Sequence, residues 1–367
     1  MVGISSTAVA QGLNLLPPPL SAKARGHAAA LSASAGLDTV WREARELALK
    51  RAIHPDDYQC GPTDFDMWFW AKLGWIQNPN AFLDIAINYG ALDWPTYYSF
   101  RFDQNAGDDY LGVSGAQTRE MKKRFGDLQK FWDVNTSNVL LQGMHGAVIQ
   151  EDAKMVPFVQ WYFGGLDPVT AQSIVDYVQS VIEGDPGLGY NNPLFTLNAF
   201  AVTTEGESPF SPFYGIPDKI VLGDGIIEAL TDLGLGINAP DSVLSHEFGH
   251  HVQFELGVFD TYDGTPEATR RTELMADAFG AYYCAHSRGA SFQSKRIAEV
   301  FRSSYLIGDC AFDSPGHHGT PDQREAAAQW GASVATASKK QGKIASSSLM
   351  LQLFDAQLPT LIAPDAP

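Results

Sequence analysis

Two imidazoles four residues apart, with a carboxylate beside the first, stand in the run His246-Glu247-Phe248-Gly249-His250. On an α-helix, positions i and i+4 share a face, so both rings can reach one ion while Glu247 points aside. That is the layout a hydrolytic zinc site needs. The flanks predict the helix. Asn238-Ala239-Pro240-Asp241 puts proline near the first helical position and a carboxylate in the first turn, Val243, Leu244, Phe248 and Val252 recur at near-helical spacing, and Gly257 can end the run. The competing reading is two polar histidines on a solvated helix face.

A catalytic zinc usually takes three side chains and leaves a fourth position to water. A metzincin would carry glycine at 253 and histidine at 256, and Gln253 and Leu256 exclude that class. Downstream, Thr265-Pro266-Glu267 opens a second predicted helix that runs to about residues 287–289. On it Glu273 and Asp277 share a face. Glu273 reads as the third metal ligand, and Asp277 as the carboxylate that anchors the other ring nitrogen of a coordinating histidine. Their apolar neighbours Leu274, Met275, Ala276, Ala278 and Phe279 argue against two solvated acids. Glu273, Asp277, Gly280 and Cys284 fall in one stripe, and Gly280, lacking a side chain, lets the two helices approach closely.

The run from His246 to Gln253, closing at Leu256-Gly257, resembles the signature of the neutral zinc metallopeptidases, a bacterial gluzincin-like family. Three further blocks agree in order. Pro212-Phe213-Tyr214 followed by Pro217-Asp218-Lys219-Ile220-Val221-Leu222 is similar to that family's P-F-Y-x-P segment and the strand after it. Arg271 with Glu273-Leu274 and Ala276-Asp277 resembles its R-x-E-L-x-A-D, and His318-Gly319-Thr320-Pro321-Asp322-Gln323-Arg324 its H-G-[ST]-P-E-Q-R. The resemblance covers about residues 198–332 and departs at Ala278 and Tyr283, where the family usually has cysteine and tryptophan. It implies zinc as cofactor, a peptide or protein as substrate and peptide-bond hydrolysis as the reaction.

Within that reading Glu247 takes the proton of a water attacking a scissile carbonyl and hands it to the departing amine. Gluzincin-like sites commonly add a donor for the developing oxyanion. Candidates are His317, His318, Tyr282, Tyr283 and His286. His318 is favoured as a catalytic residue because it precedes Thr320-Pro321-Asp322-Gln323, a capping-box pattern that would fix its turn, where it could equally pack or hydrogen-bond. His251, about 100° round the helix from His250, reads as structural. An extended substrate needs an exposed edge strand. The β-like runs 197–203 and 219–222 are the two candidates, each of which could instead be an ordinary buried strand.

The net charge of −17 argues against nucleic acid or an anionic membrane surface as partner, and no apolar stretch is long enough to span a bilayer. Of the three cysteines, Cys60, Cys284 and Cys310, the expected pair is Cys284 with Cys310, both inside the region of resemblance. Were the N-terminal half a propeptide that blocks the cleft, Cys60 could cap the zinc as a thiolate. The family likeness, with a cleavage-like Ala8-Val9-Ala10, points to export to the periplasm or beyond.

The expected fold is α+β and helix-rich: a zincin-like catalytic region with a small β-sheet and two zinc-binding helices, plus a mainly helical N-terminal part. Residues 1–37 read as a flexible leader, 38–190 as a mainly helical aromatic-rich region, 191–345 as the zincin-like region and 346–367 as a C-terminal helix or tail. Within the second, a helix is predicted from Asp38, another from Asp167-Pro168 to near Gly184, and the crowded Trp68, Phe69, Trp70 and Trp75 read as core. Residues 103–109 carry oxygen ligands without EF-hand spacing and read as a solvated loop rather than a calcium site. The alternative function is a non-catalytic binding or scaffold protein that keeps a structural zinc.

Overall fold

The computed structural model describes residues 2–4, 58–102, 110–204, 213–262, 264–339 and 343–363. Most of the leader, the helix expected from Asp38, the 103–109 loop and Pro212 lie outside the described residues. The described chain is helix-rich with a small sheet, an α+β arrangement.

Among the described residues, six helices precede the region of resemblance: α1 (Asp64–Leu73), α2 (Pro79–Asn88), α3 (Trp94–Arg101), α4 (Thr118–Phe131), α5 (Asp152–Tyr162) and α6 (Pro168–Gly184). Their starts follow local chemistry. Thr63 and Asp66 form a capping box on α1, and Asp167 accepts from the Val169 and Thr170 amides at the head of α6. On α1 the inward positions Phe65 and Phe69 are buried, but Trp70 is 43% exposed and Trp75, in the turn after the helix, 58%, so the expected aromatic core holds only in part. Lys72 packs between the Trp68 and Trp75 rings, 4.8 and 4.6 Å from their centroids.

The sheet has strand order β1-β3-β4-β2, with β1 at Val2–Ile4, β2 at Leu140–Met144, β3 at Ala199–Val202 and β4 at Lys219–Gly223. β3 runs antiparallel to both β1 and β4, while β2 pairs in parallel with β4. The two runs considered as substrate edges therefore carry the interior strands β3 and β4, buried at every strand residue, so the buried-strand alternative holds for both. Their lack of alternating polarity is what burial on both faces produces.

After β4 come α7 (Asp224–Leu230), α8 (Ala239–Glu255), α9 (Pro266–Ala285), α10 (Ser294–Leu306), α11 (Pro321–Lys339) and α12 (Ser347–Leu361). α8 stops where Gly257 takes φ +67°, a left-handed turn that suits glycine, and Thr265 caps the Ala268 amide to start α9. Val243, Leu244, Phe248 and Val252 of α8 join Ala199, Ala201, Ile220 and Leu222 of the sheet in one core. Packing continues across residue 190. Arg124 of α4 makes two bonds to Asp241 of α8 (2.9 and 3.1 Å), and the Trp132 ring stacks 5.2 Å from Phe279 of α9.

The disulfide joins Cys60 to Cys310, not Cys284 to Cys310. Cys284 lies buried on α9 against Ser245 of α8, whereas Cys310 follows α10, alongside the segment that carries Thr63, whose hydroxyl bonds to Leu306 O at 2.8 Å. Bonded to Cys310, Cys60 offers no thiolate to cap a metal. Burial pushes the Cys284 thiol up to about 12.

Candidate metal centre

Residues 240–253 of α8 are buried without interruption, although the stretch includes Ser245, His246, Glu247, His250, His251 and Gln253. Buried polar groups need partners. All but one of these six find one. Ser245 donates to Ser242 O at 3.0 Å, and His251 Nε2 lies 3.0 Å from Lys219 O, tying α8 to β4. Gln253 lies 3.3 Å from His250 Nδ1 through Oε1 and donates to Thr272 O at 2.8 Å. Both carboxylate oxygens of Glu247 are without a hydrogen-bond partner.

α8 and α9 meet through small residues. A Cβ on Gly280 would stand 3.1 Å from His246 N, and one on Gly249 3.0 Å from Ala276 Cα, so the two backbones nearly touch. Side chains on the facing surfaces then have little distance to cross. His246 Nε2 lies 3.2 Å from His250 Nε2, and the Glu273 oxygens lie 3.3 and 3.4 Å from those two nitrogens. The three donor atoms fall within 4.8 Å of one another, and this buried cluster could hold a metal ion. Two imidazole nitrogens and a carboxylate suit a divalent first-row ion, and such an ion would relieve the crowding of nitrogen lone pairs.

The far side of His246 is fixed by charge. Its Nδ1 lies 2.9 Å from Asp277 Oδ1, and Asp277 in turn accepts from Arg324 Nε (2.7 Å), Arg324 Nη2 (3.0 Å) and Ser304 Oγ (3.1 Å). Burial opposes the charge on His246, but Asp277 and Glu273 outweigh it and push the ring up to about 10. Burial also opposes ionisation of Glu273, yet His250 and His318 hold it well below the usual carboxylate range. For Glu247 burial prevails over the charge of His246, and the carboxyl is pushed up to about 8.

His318 is buried beside this cluster. Its Nδ1 and backbone N–H lie 3.0 and 2.8 Å from Asp309 Oδ2, while Asp309 Oδ1 meets His317 Nδ1 at 2.6 Å. The capping box is present, with reciprocal Thr320 and Gln323 bonds of 3.2 Å. Burial works against a charged His318, but Glu273 and Asp309 raise it above the ordinary imidazole value. The remaining oxyanion candidates sit elsewhere: Tyr282 accepts from Ala345 N at 2.8 Å, Tyr283 packs on Phe131, and His286 lies 3.2 Å from Lys343 O, all near the far end of α9.

Sequence reasoning gave no role to Arg324, Asp309, Ser304 or Gln253. Arg324 did stand in the quoted run after His318, and that run is the one sequence signal that could have found it. Asp309 and Ser304 carry no local signal, since only the packing of α10 and α11 against α9 brings them in. Comparison with protein-family models, curated proteins and solved structures gives no match.

Proposed function

We propose that the chain is a zinc-dependent metallopeptidase, similar to the gluzincin-like neutral zinc metallopeptidases, with His246, His250 and Glu273 as the metal ligands. The observation that carries the reading is Glu247: a fully buried carboxylate with no partner, one residue along the helix from a ligand. A fold tolerates such a group where it acts on something that enters the site. Zinc held there would supply Lewis acidity, lowering the pKa of a water and polarising a carbonyl.

This chain's residues do the rest. Glu247 accepts the proton released by the attacking water and returns it to the amine nitrogen as the peptide bond breaks. Its raised pKa suits a group that must both take and give a proton near neutrality. Asp277 fixes the ring of His246 by its Nδ1, Gln253 does the same for His250, and Arg324 neutralises Asp277. His318, steered by Asp309, donates to the carbonyl oxygen as negative charge builds on it. The Cys60–Cys310 disulfide favours an oxidising, exported location, and no described helix is long and apolar enough to cross a membrane.

One observation favours a second reading, a non-catalytic zinc site that orders α8 and α9: all four of His246, Glu247, His250 and Glu273 are no more than 4% exposed. Glu247→Gln separates the two. On the peptidase reading it keeps bound zinc and lowers turnover of a peptide library by about a hundredfold or more, the range of general-base help. Unchanged turnover with zinc retained would sink that reading.

A further inference from the structure

A cavity of about 510 Å³ that shares no lining residue with the metal cluster is walled by Tyr262, Thr265, Glu267, Arg271, Leu358 and Ile362. Arg271 is about 200° round α9 from Glu273, whereas Arg270 lies one turn before Glu273 on nearly the same side, its stem beside Gly319. Arg270 also lines the cavity. It is 98% buried (2% relative exposure), and its Nη1 has no hydrogen-bond partner.

Elsewhere in the protein, buried arginines are neutralised: Arg324 by Asp277 and Arg124 by Asp241. Arg270 makes no ion pair among the described residues. Its neighbour is the Tyr58 phenol, whose own proton goes to Ile362 O at 2.9 Å, leaving the oxygen to face the guanidinium. Glu267, one turn away on α9, acts on it only through space, and Arg271 is held by Asp355 at 2.8 Å. A guanidinium taken out of water without an anion is unfavourable. The first turn of α9 adds its positive end to the same wall, and Leu358, Ile362 and Tyr262 add apolar surface.

We propose that this cavity is a binding site, separate from the metal cluster, for a carboxylate attached to an apolar group, with Arg270 as the group that recognises the carboxylate. A peptide C-terminus with a hydrophobic residue and a short free aliphatic acid present the same chemistry. The Arg270 guanidinium donates to the carboxylate, and the apolar body lies against Leu358 and Ile362. The site does not depend on the peptidase reading.

The test uses the full-length Glu247→Gln protein and four probes: N-acetyl-leucyl-leucine, its amide, hexanoate and hexanamide, each titrated calorimetrically. The acids are expected to bind about 10- to 100-fold more tightly than the matching amides, the worth of one charge-assisted hydrogen bond. Tighter binding of the dipeptide acid than of hexanoate assigns the site to peptide termini, and the reverse order to small acids. Arg270→Met keeps the stem that packs on Gly319 and is expected to erase the acid preference, while Arg270→Lys retains part of it. Equal binding of acids and amides by the Arg270-containing protein overturns the proposal. So does a preference that survives Arg270→Met. Should Arg270→Met fail to fold, chelator-treated protein decides: retained acid preference supports the site, and its loss assigns the carboxylate to the metal cluster instead.

Discussion

Arg324→Met isolates the charge that holds the candidate metal centre in register. Arg324 is completely buried and bonds both oxygens of Asp277 at 2.7 and 3.0 Å, with a longer contact of 3.7 Å to Glu273. Methionine fills most of the stem volume but leaves Asp277 as a buried carboxylate held only by His246 and Ser304. Breaking a buried pair from one side costs about 3–5 kcal/mol. The surviving bonds put this case at the lower end, about 3 kcal/mol. Loss of a group that orients a ligand's partner also weakens metal binding about 10- to 100-fold. Urea unfolding of chelator-treated protein measures the first effect, and competition with a chromogenic chelator the second. Adding Asp277→Asn removes the stranded charge, so the double variant is expected to regain about 2 kcal/mol of apo stability over Arg324→Met without regaining metal affinity. An Arg324→Met protein within about 1 kcal/mol of the parent, or a double variant weaker than the single one, refutes the reasoning.

Gly280→Ala places a methyl 3.1 Å from His246 N and is expected to destabilise by about 1–3 kcal/mol in urea titration. Gly126→Ala on α4 meets nothing within 4 Å and is expected to stabilise by about 0.5–1 kcal/mol in the same assay. Cys60→Ser should expose two free thiols under denaturing, non-reducing conditions, those of Cys284 and Cys310, where a Cys284–Cys310 bridge would leave none; the expected stability loss is about 2–4 kcal/mol.

The elements that carry chemistry were legible because their signals are local. Proline at the start of α8 and α9, the Thr265 cap, Gly257 and the i, i+4 histidines all act within a turn or two, and each helix lies where its pattern puts it. Gly280 was legible as a contact for the same reason. What the sequence hid is set by tertiary packing. Strand order decides that 197–203 and 219–222 are interior, and no residue in either announces which neighbour it will have. Cys60 and Cys310 are 250 positions apart, a separation over which no spacing rule operates. Asp309 entered only when the turn before α11 folded back on the end of α10. Trp70 and Trp75 resemble core residues in type, and only the orientation of α1 and of the turn after it leaves them outward.

The parallel pairing of β2 with β4 has a practical consequence. A fragment cut near residue 191 to express the histidine-bearing half would lack the strand that covers one side of β4 and Arg124, one of the two arginines paired with Asp241. Phe248, whose ring meets Phe125 at 6.0 Å, would lose that aromatic cover in the middle of the helix that carries both histidines. The seemingly accessory first half is thus scaffolding for the second, and a truncated protein that aggregates would say nothing about whether the intact one is an enzyme.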